Sequence, residues 1–226
     1  MSVAFYTPTR IVKNAPYITE INFLHLEEVN QETVVQELCK AAALLVERPG
    51  FVAVNVLRST DGSRVCTYVQ WKNRASLVEA HAWLETQGQT SYRSLIEEGS
   101  GKPRLYDVHY THDVSPEGHS VISRDYKGVI FINEITTIPG PKQFRLLELV
   151  IANNEKDSLN TPGYRSANFH RSIDGERAVN YSLWDSEEHL IEAVSAMAGE
   201  DVNLEETVEI ASPDFRFYTL AFAAHQ

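Results

Sequence analysis

The chain of 226 residues, 43% hydrophobic and 10% aromatic, has enough apolar material for a globular core without staples. Its 31 acidic residues against 20 basic ones give a formal charge of −11. With no Lys/Arg stripe to offset that charge, the chain repels phosphate backbones, so no nucleic-acid partner is expected. Cys39 and Cys66 stand outside any CxxC pattern and suggest neither a zinc site nor a disulfide framework. No stretch approaches the ~20 apolar residues of a membrane span, and the start "MSVAFYTPTR" lacks a signal peptide's apolar core. The expectation is a cytoplasmic protein with no membrane partner.

In chain order, an N-terminal extension leads to a strand over about 19–27 and a helix over about 31–47, which ends at Pro49-Gly50. A hairpin follows, with strands over about 51–59 and 64–72 joined at Asp61-Gly62. Asp-Gly suggests a two-residue type I′ turn, which needs positive φ at both central positions. A second helix over about 74–97 and a strand over about 103–111 complete the unit. The polar, turn-rich stretch "DVSPEGHSVISRDYKG" reads as a linker. The order then repeats: strand about 128–136, helix 142–156, strands 164–172 and 177–185, helix 186–199 and strand 214–223.

The repetition is written in the residues. Sliding the chain by 113 positions lays Arg58-Ser59, Asp61-Gly62, Tyr68 and Trp71 over Arg171-Ser172, Asp174-Gly175, Tyr181 and Trp184. Such self-similarity marks two copies of one supersecondary unit. Each copy has the order β-α-β-β-α-β, a ferredoxin-like arrangement of one antiparallel sheet under two helices. The expected fold class is α+β, with the two units packed as an intrachain dimeric α/β barrel. Residues 1–112 form the first unit with its extension, 113–127 the linker, and 128–226 the second unit. The open sheet face of each copy is apolar and is expected to be buried by the other.

The stretch "YVQWKNRASLVEAHAWLETQGQTSYRSLIEE", Tyr68 to Glu98, resembles the antibiotic biosynthesis monooxygenase family. The shared features are a strand ending in Trp, a polar break and a helix carrying Ala80-His81. The second copy keeps "NYSLWDSEEHLIEA" but has Val194 in place of the histidine. Its Asn-Tyr-x-x-Trp phrase resembles the anthrone oxygenases, and the tandem length resembles the oxygenases that open the B ring of angucycline polyketides. The resemblance implies an oxygenase acting on a polycyclic aromatic polyketide, a phenol or quinone, in antibiotic biosynthesis, with oxidative ring opening as one outcome. Molecular oxygen is then the co-substrate. The ring-opening relatives imply reduced flavin (FADH2 or FMNH2) supplied by a separate flavin reductase, although no dinucleotide fingerprint is present. Either a monomer or a homodimer fits.

The hairpin register places the candidate site. With Asp174-Gly175 as the turn, Asn180 faces Phe169, Ser182 faces Ala167 and Trp184 faces Arg165, all on one sheet face. The same face of the first copy pairs Thr67 with Val56, Val69 with Val54 and Trp71 with Val52. Three valines, a threonine and a tryptophan pack solidly, whereas alanine, serine and asparagine leave a polar opening. Asn180, Trp184 and Arg165 are therefore the expected catalytic residues, with Phe169, Ala167, Ser182, Trp71 and His81 contacting the substrate. Arg93 is a further cation in the family-like helix. His170 and Tyr181, like Asn55 and Tyr68, share the opposite face and are expected between the two sheets. His109, His112 and Asp113 lie at one strand end with no second cluster, so no metal is expected.

Two other readings accompany this one. Asn22, Trp71 and His81 resemble the residues with which some family members bind and degrade haem, against which the valine-packed face around Trp71 leaves little room. Loss of the histidine at Val194 also fits a non-catalytic binding module.

Overall fold

The computed structural model describes residues 8–26, 30–88, 103–137, 142–157, 161–198 and 204–226. Among them the first unit contributes β2 (Ile18–His25), α1 (Gln31–Leu45), β3 (Phe51–Ser59), β4 (Arg64–Trp71), α2 (Arg74–Thr86) and β5 (Leu105–Asp113). The second contributes β7 (Val129–Thr137), α3 (Lys142–Asp157), β8 (Tyr164–Ser172), β9 (Arg177–Trp184), α4 (Glu187–Ala198), α5 (Leu204–Ile210) and β10 (Ala211–His225). Short strands β1 (Thr9–Ile11) and β6 (Ser120–Ile122) precede each unit. The expected C-terminal part of α2, with Arg93, lies outside the described residues.

Eight strands close into one barrel in the order β10-β3-β4-β2-β5-β8-β9-β7. Closure depends on two strands that serve both units. β5 pairs with β2 only at Thr19 and Glu20, then runs along β8 from Tyr106 to Asp113. β10 pairs with β7 from Ala211 to Tyr218 and then with β3 from Tyr218 to His225. Main-chain hydrogen bonding thus passes from one unit to the other without leaving a free edge. Among the described residues no helix is long and apolar enough to cross a membrane.

Side chains divide into three clusters. Trp71, Val54, Val56 and Val69 pack beneath α1 and α2, while Phe169, Ala167 and Trp184 pack beneath the second unit's helices. Between them, inside the barrel, lie Tyr68, Tyr181, Cys66 and Val179. Every residue of β4 is buried, because one face meets helices and the other meets the barrel core. A repeated device sets each helix on its hairpin. Gln31 Nε2 donates to the carbonyls of Ser59 (3.0 Å) and Arg64 (2.7 Å), and Gln143 Nε2 to those of Ser172 (3.1 Å) and Arg177 (2.6 Å).

Three details depart from the sequence reading. The hairpins hold the expected register, but positive φ occurs only at Gly62 (78°) and Gly175 (81°), so the turns are not type I′. Asp61 Oδ1 accepts from Ser63 N at 3.0 Å and Asp174 Oδ1 from Glu176 N at 3.2 Å; these local bonds hold the aspartates in ordinary backbone conformations. The expected linker contains β6, and the extension contains β1; together they form an antiparallel ribbon. Thr9 and Ser120 on this ribbon bond the side chains of Asn55 and Asn168, at 2.9 and 2.8 Å, and Ile11 and Ile122 enter the barrel core. The matched asparagines of the repeat thereby anchor the segments that precede the two units. Finally, bulges between Phe51 and Ala53 and between Tyr164 and Ser166 pair Trp71 with Phe51 and Trp184 with Tyr164, not with Val52 and Arg165.

The barrel core contains a titratable bond between units. Tyr68 of β4 hydrogen-bonds His170 of β8, oxygen to Nε2, at 3.1 Å. His170 Nδ1 lies 3.2 Å from the Asn168 carbonyl, which can only accept, so Nδ1 carries the proton and Nε2 accepts from the phenol. Burial pushes His170 down to about 4 from an ordinary value of 6.5. Because the folded value is depressed, the unfolded chain binds the extra proton as pH falls from 6.5 to 4, and stability is lost across that window. The full difference is about 3 kcal/mol. Urea midpoints at pH 7 and pH 4.5 should therefore fall further for the native chain than for His170→Gln; equal pH slopes would remove this histidine from the account.

Candidate active site

The helix-facing side of the second unit encloses a cavity of about 210 Å3. β7 supplies Phe131 and Asn133, β8 supplies Tyr164, Ala167 and Phe169, β9 supplies Asn180, Ser182 and Trp184, and α3 supplies Asn153 and Asn154. Trp184 is 3% exposed; its Nε1 donates to Ser182 Oγ at 3.2 Å, and Tyr164 meets its ring edge-on at 5.4 Å. Asn133 Oδ1 accepts from the backbone of Asp214 at 3.1 Å. Asn180 Oδ1 is buried with no hydrogen-bond partner. A buried amide oxygen left unpaired costs on the order of 1–3 kcal/mol, and Asn180 is one of the residues that line the cavity.

The first unit serves as an internal control. Aligning Gln143 with Gln31 puts Asn153 and Asn154 at the places of Ala41 and Ala42, both 0% exposed. Strand registers put Asn180 at the place of Thr67, Ser182 at Val69 and Tyr164 at Phe51. Phe51 packs edge-on against Trp71 at 5.8 Å with an interplanar angle of 84°, the angle found for Tyr164 and Trp184. The two units share one aromatic frame, and around it the second has Asn153, Asn154 and Ser182 where the first has Ala41, Ala42 and Val69.

Five of the eight residues singled out by the sequence line this cavity: Asn180, Trp184, Phe169, Ala167 and Ser182. Arg165 does not. As the extra residue of the bulge it turns outward, where its guanidinium makes two 2.7 Å bonds to Asp185. It borders a different cavity of about 680 Å3, between the ribbon, the linker and β8. That cavity is larger, yet no buried polar atom lacking a partner borders it among the described residues. Trp71 is 0% exposed in the first unit's core. His81 is on α2, its Nε2 3.3 Å from Glu20 Oε2.

The first unit's face is also less apolar than its hairpin alone suggests, because β2 adds polar side chains to it. Glu20 and Asn22 are fully buried there; Asn22 Nδ2 donates to Glu20 Oε1 at 3.1 Å and to Thr67 Oγ1 at 3.3 Å. In the second unit Phe131 and Val194 replace the Glu20–His81 pair. Asn22 is thus engaged within the protein, and the packed Trp71 presents no open face to a porphyrin. Among the described residues no group of three or more His, Cys, Asp or Glu side chains could hold a metal ion. The second-unit cavity does not fit a flavin nucleotide: among the described residues its lining contains no cation for the phosphate, and its volume of about 210 Å3 accommodates one small planar ring system.

Residues 17–90 match the family model described as antibiotic biosynthesis monooxygenase. No curated protein sequence matches the chain. Among solved structures, an anthrone oxidase-like protein superposes with a TM-score of 0.76 at 16% identity, covering 96% of both chains. A candidate monooxygenase from Fusobacterium nucleatum subsp. nucleatum gives 0.60 at 9% identity, covering 94% of this chain and 96% of its own. A staphylococcal regulator of pathogenesis gives 0.50 at 9% identity, covering 88% and 98%. At these identities the likeness is one of fold.

The contrast between units sets a stability test. Asn180→Ala removes an amide whose oxygen has no protein partner, so thermal unfolding should show no loss of stability and a gain of up to about 1–3 kcal/mol. Trp71→Ala should cost about 3–5 kcal/mol through the void it opens in a packed core. Comparable losses for both would mean that Asn180 is a structural residue.

Proposed function

We propose that this chain, residues 17–90 of which match the antibiotic biosynthesis monooxygenase family model, is an oxygenase that oxidises a small polycyclic phenol or its keto tautomer in the cavity of the second unit. The observation that carries the reading is the unpartnered oxygen of Asn180, a residue that lines a cavity of mixed polar and apolar character framed by Trp184, Phe169 and Phe131. The fold neighbour described as anthrone oxidase-like suggests the substrate class.

The chemistry asks little of the protein beyond placement. A deprotonated phenol or enol is electron-rich enough to reduce molecular oxygen; recombination gives a peroxide, and loss of water turns a ring methylene into a carbonyl. One O2 is consumed and one water released for each carbonyl formed. The aromatic walls hold the flat ring and keep bulk water from the anion. The Asn180 amide can donate through Nδ2 to the developing oxyanion, while Oδ1 accepts from a neighbouring substrate hydroxyl. Ser182 and Asn133 add polar contacts along the same wall. Reduced flavin is left out of this scheme because the cavity does not fit it, and oxidative ring opening that depends on flavin is left out with it.

Asn180→Ala should lower turnover of 1,8-dihydroxyanthrone by about 10²-fold or more, the scale for losing one oxyanion donor, with no fall in melting temperature. Oxygen uptake should proceed without a flavin reductase. Turnover that survives in Asn180→Ala would move the site elsewhere, and an absolute requirement for reduced flavin would overturn the cofactor-free scheme.

A further inference from the structure

One wall of the second-unit cavity has a hydroxyl that the first unit lacks, on a ring held in the same place. Tyr164 and Phe51 make equivalent edge-on contacts with their tryptophans. The added oxygen lies 3.1 Å from His112 Nδ1 and accepts from Asn154 Nδ2 at 3.5 Å. His112 comes from β5, the first unit's last strand, where it pairs with Ala167 of β8. The matching place beside Val54 is held by Ala224 of β10. Phenyl, methyl and methyl in one unit therefore become phenol, imidazole and amide in the other, on three elements that meet at one oxygen. The first unit proves that the fold packs well without any of them, and a buried hydroxyl is costly unless its partners come with it.

The geometry points to a proton relay that runs from the substrate through the Tyr164 hydroxyl to His112. It rests on the reading that the cavity binds an acidic phenol or enol. As the substrate O–H breaks, its proton bonds to the Tyr164 oxygen, and the tyrosine's own proton passes to His112 Nδ1. The substrate remains as the anion, Tyr164 is again a neutral phenol, and His112 is an imidazolium that returns its proton to solvent at the partly exposed rim. No electron moves in this step. Burial raises the tyrosine's own value, which suits a conduit that never stays ionised. Tyr110 and Asp113 on β5 act on Tyr164, and Glu155 on α3 faces Tyr110. Tyr164 is the group that touches the substrate; His112 acts through it.

The test is oxygen uptake with 1,8-dihydroxyanthrone by the full chain and three variants. Tyr164→Phe, for which Phe51 is the internal precedent, should fold normally and lose about 10²-fold in kcat, the low end for a proton-transfer group, with KM little changed. His112→Ala should lose a similar factor and regain part of it on addition of free imidazole, a rescue that a purely structural role would not show. Asn180→Ala separates the two ideas. If it loses turnover while Tyr164→Phe and His112→Ala keep kcat within twofold, the relay is wrong and the site stands. If all three variants match the native chain, or the native chain shows no uptake, the relay falls together with the site reading.

Discussion

Two strands belong to both units, and everything else follows from that. β5 and β10 complete the hydrogen bonding of neighbouring sheets, so neither unit has a full set of paired edges alone. The apolar inner face of each sheet is covered by the other, around Tyr68, Tyr181 and His170. Closing the barrel in this way fixes the relative position of the units through main-chain bonds and through the Tyr68–His170 contact. It also lets β5, a strand of the first unit, place a histidine beside the second unit's cavity.

Duplication supplies the freedom for the two helix-facing layers to diverge. The shared frame of Trp, an edge-on aromatic and a glutamine-anchored helix persists in both. Around that frame the first unit has a buried Glu20–Asn22–Thr67 cluster reaching His81, whereas the second has Phe131, Asn133, Asn180 and Val194. A buried carboxylate needs its partners to offset desolvation, so Glu20 is bound into the first unit's packing. The Asn180 amide oxygen has the opposite character: it is buried without a protein partner on a cavity-lining residue, and in the proposed function its bonding capacity goes to a ligand.

Most of the architecture was readable from the chain because period and punctuation agree. Pro-Gly before each hairpin, Asp-Gly within it and Trp at its end fix the repeat, and pairing Asn180 with Phe169 and Ser182 with Ala167 follows from the turn position. The bulge was not readable, since nothing in "YRSANF" marks Arg165 as the extra residue, and one added residue turns its side chain outward. The β1–β6 ribbon was missed because three-residue strands carry no periodic signal, although Asn55 and Asn168 in the middle of strands asked for partners. Asn153 and Asn154 come from α3, and a hairpin register places only strand residues, so the helix side of the cavity is outside what the pairing rule shows. Tyr164 was hidden by the same bulge that misplaced Arg165.

The central claim is that the second unit's cavity, under α3 and against Asn180, is where the aromatic ligand binds. A crystal structure of the chain with 1,8-dihydroxyanthraquinone, the carbonyl product of the anthrone, tests it most directly. The account predicts one planar ligand between Trp184 and Phe131, with an oxygen within hydrogen-bond reach of the Asn180 side chain. A ligand seated against Trp71 and His81 in the first unit, or in the cavity beside Arg165, would contradict it.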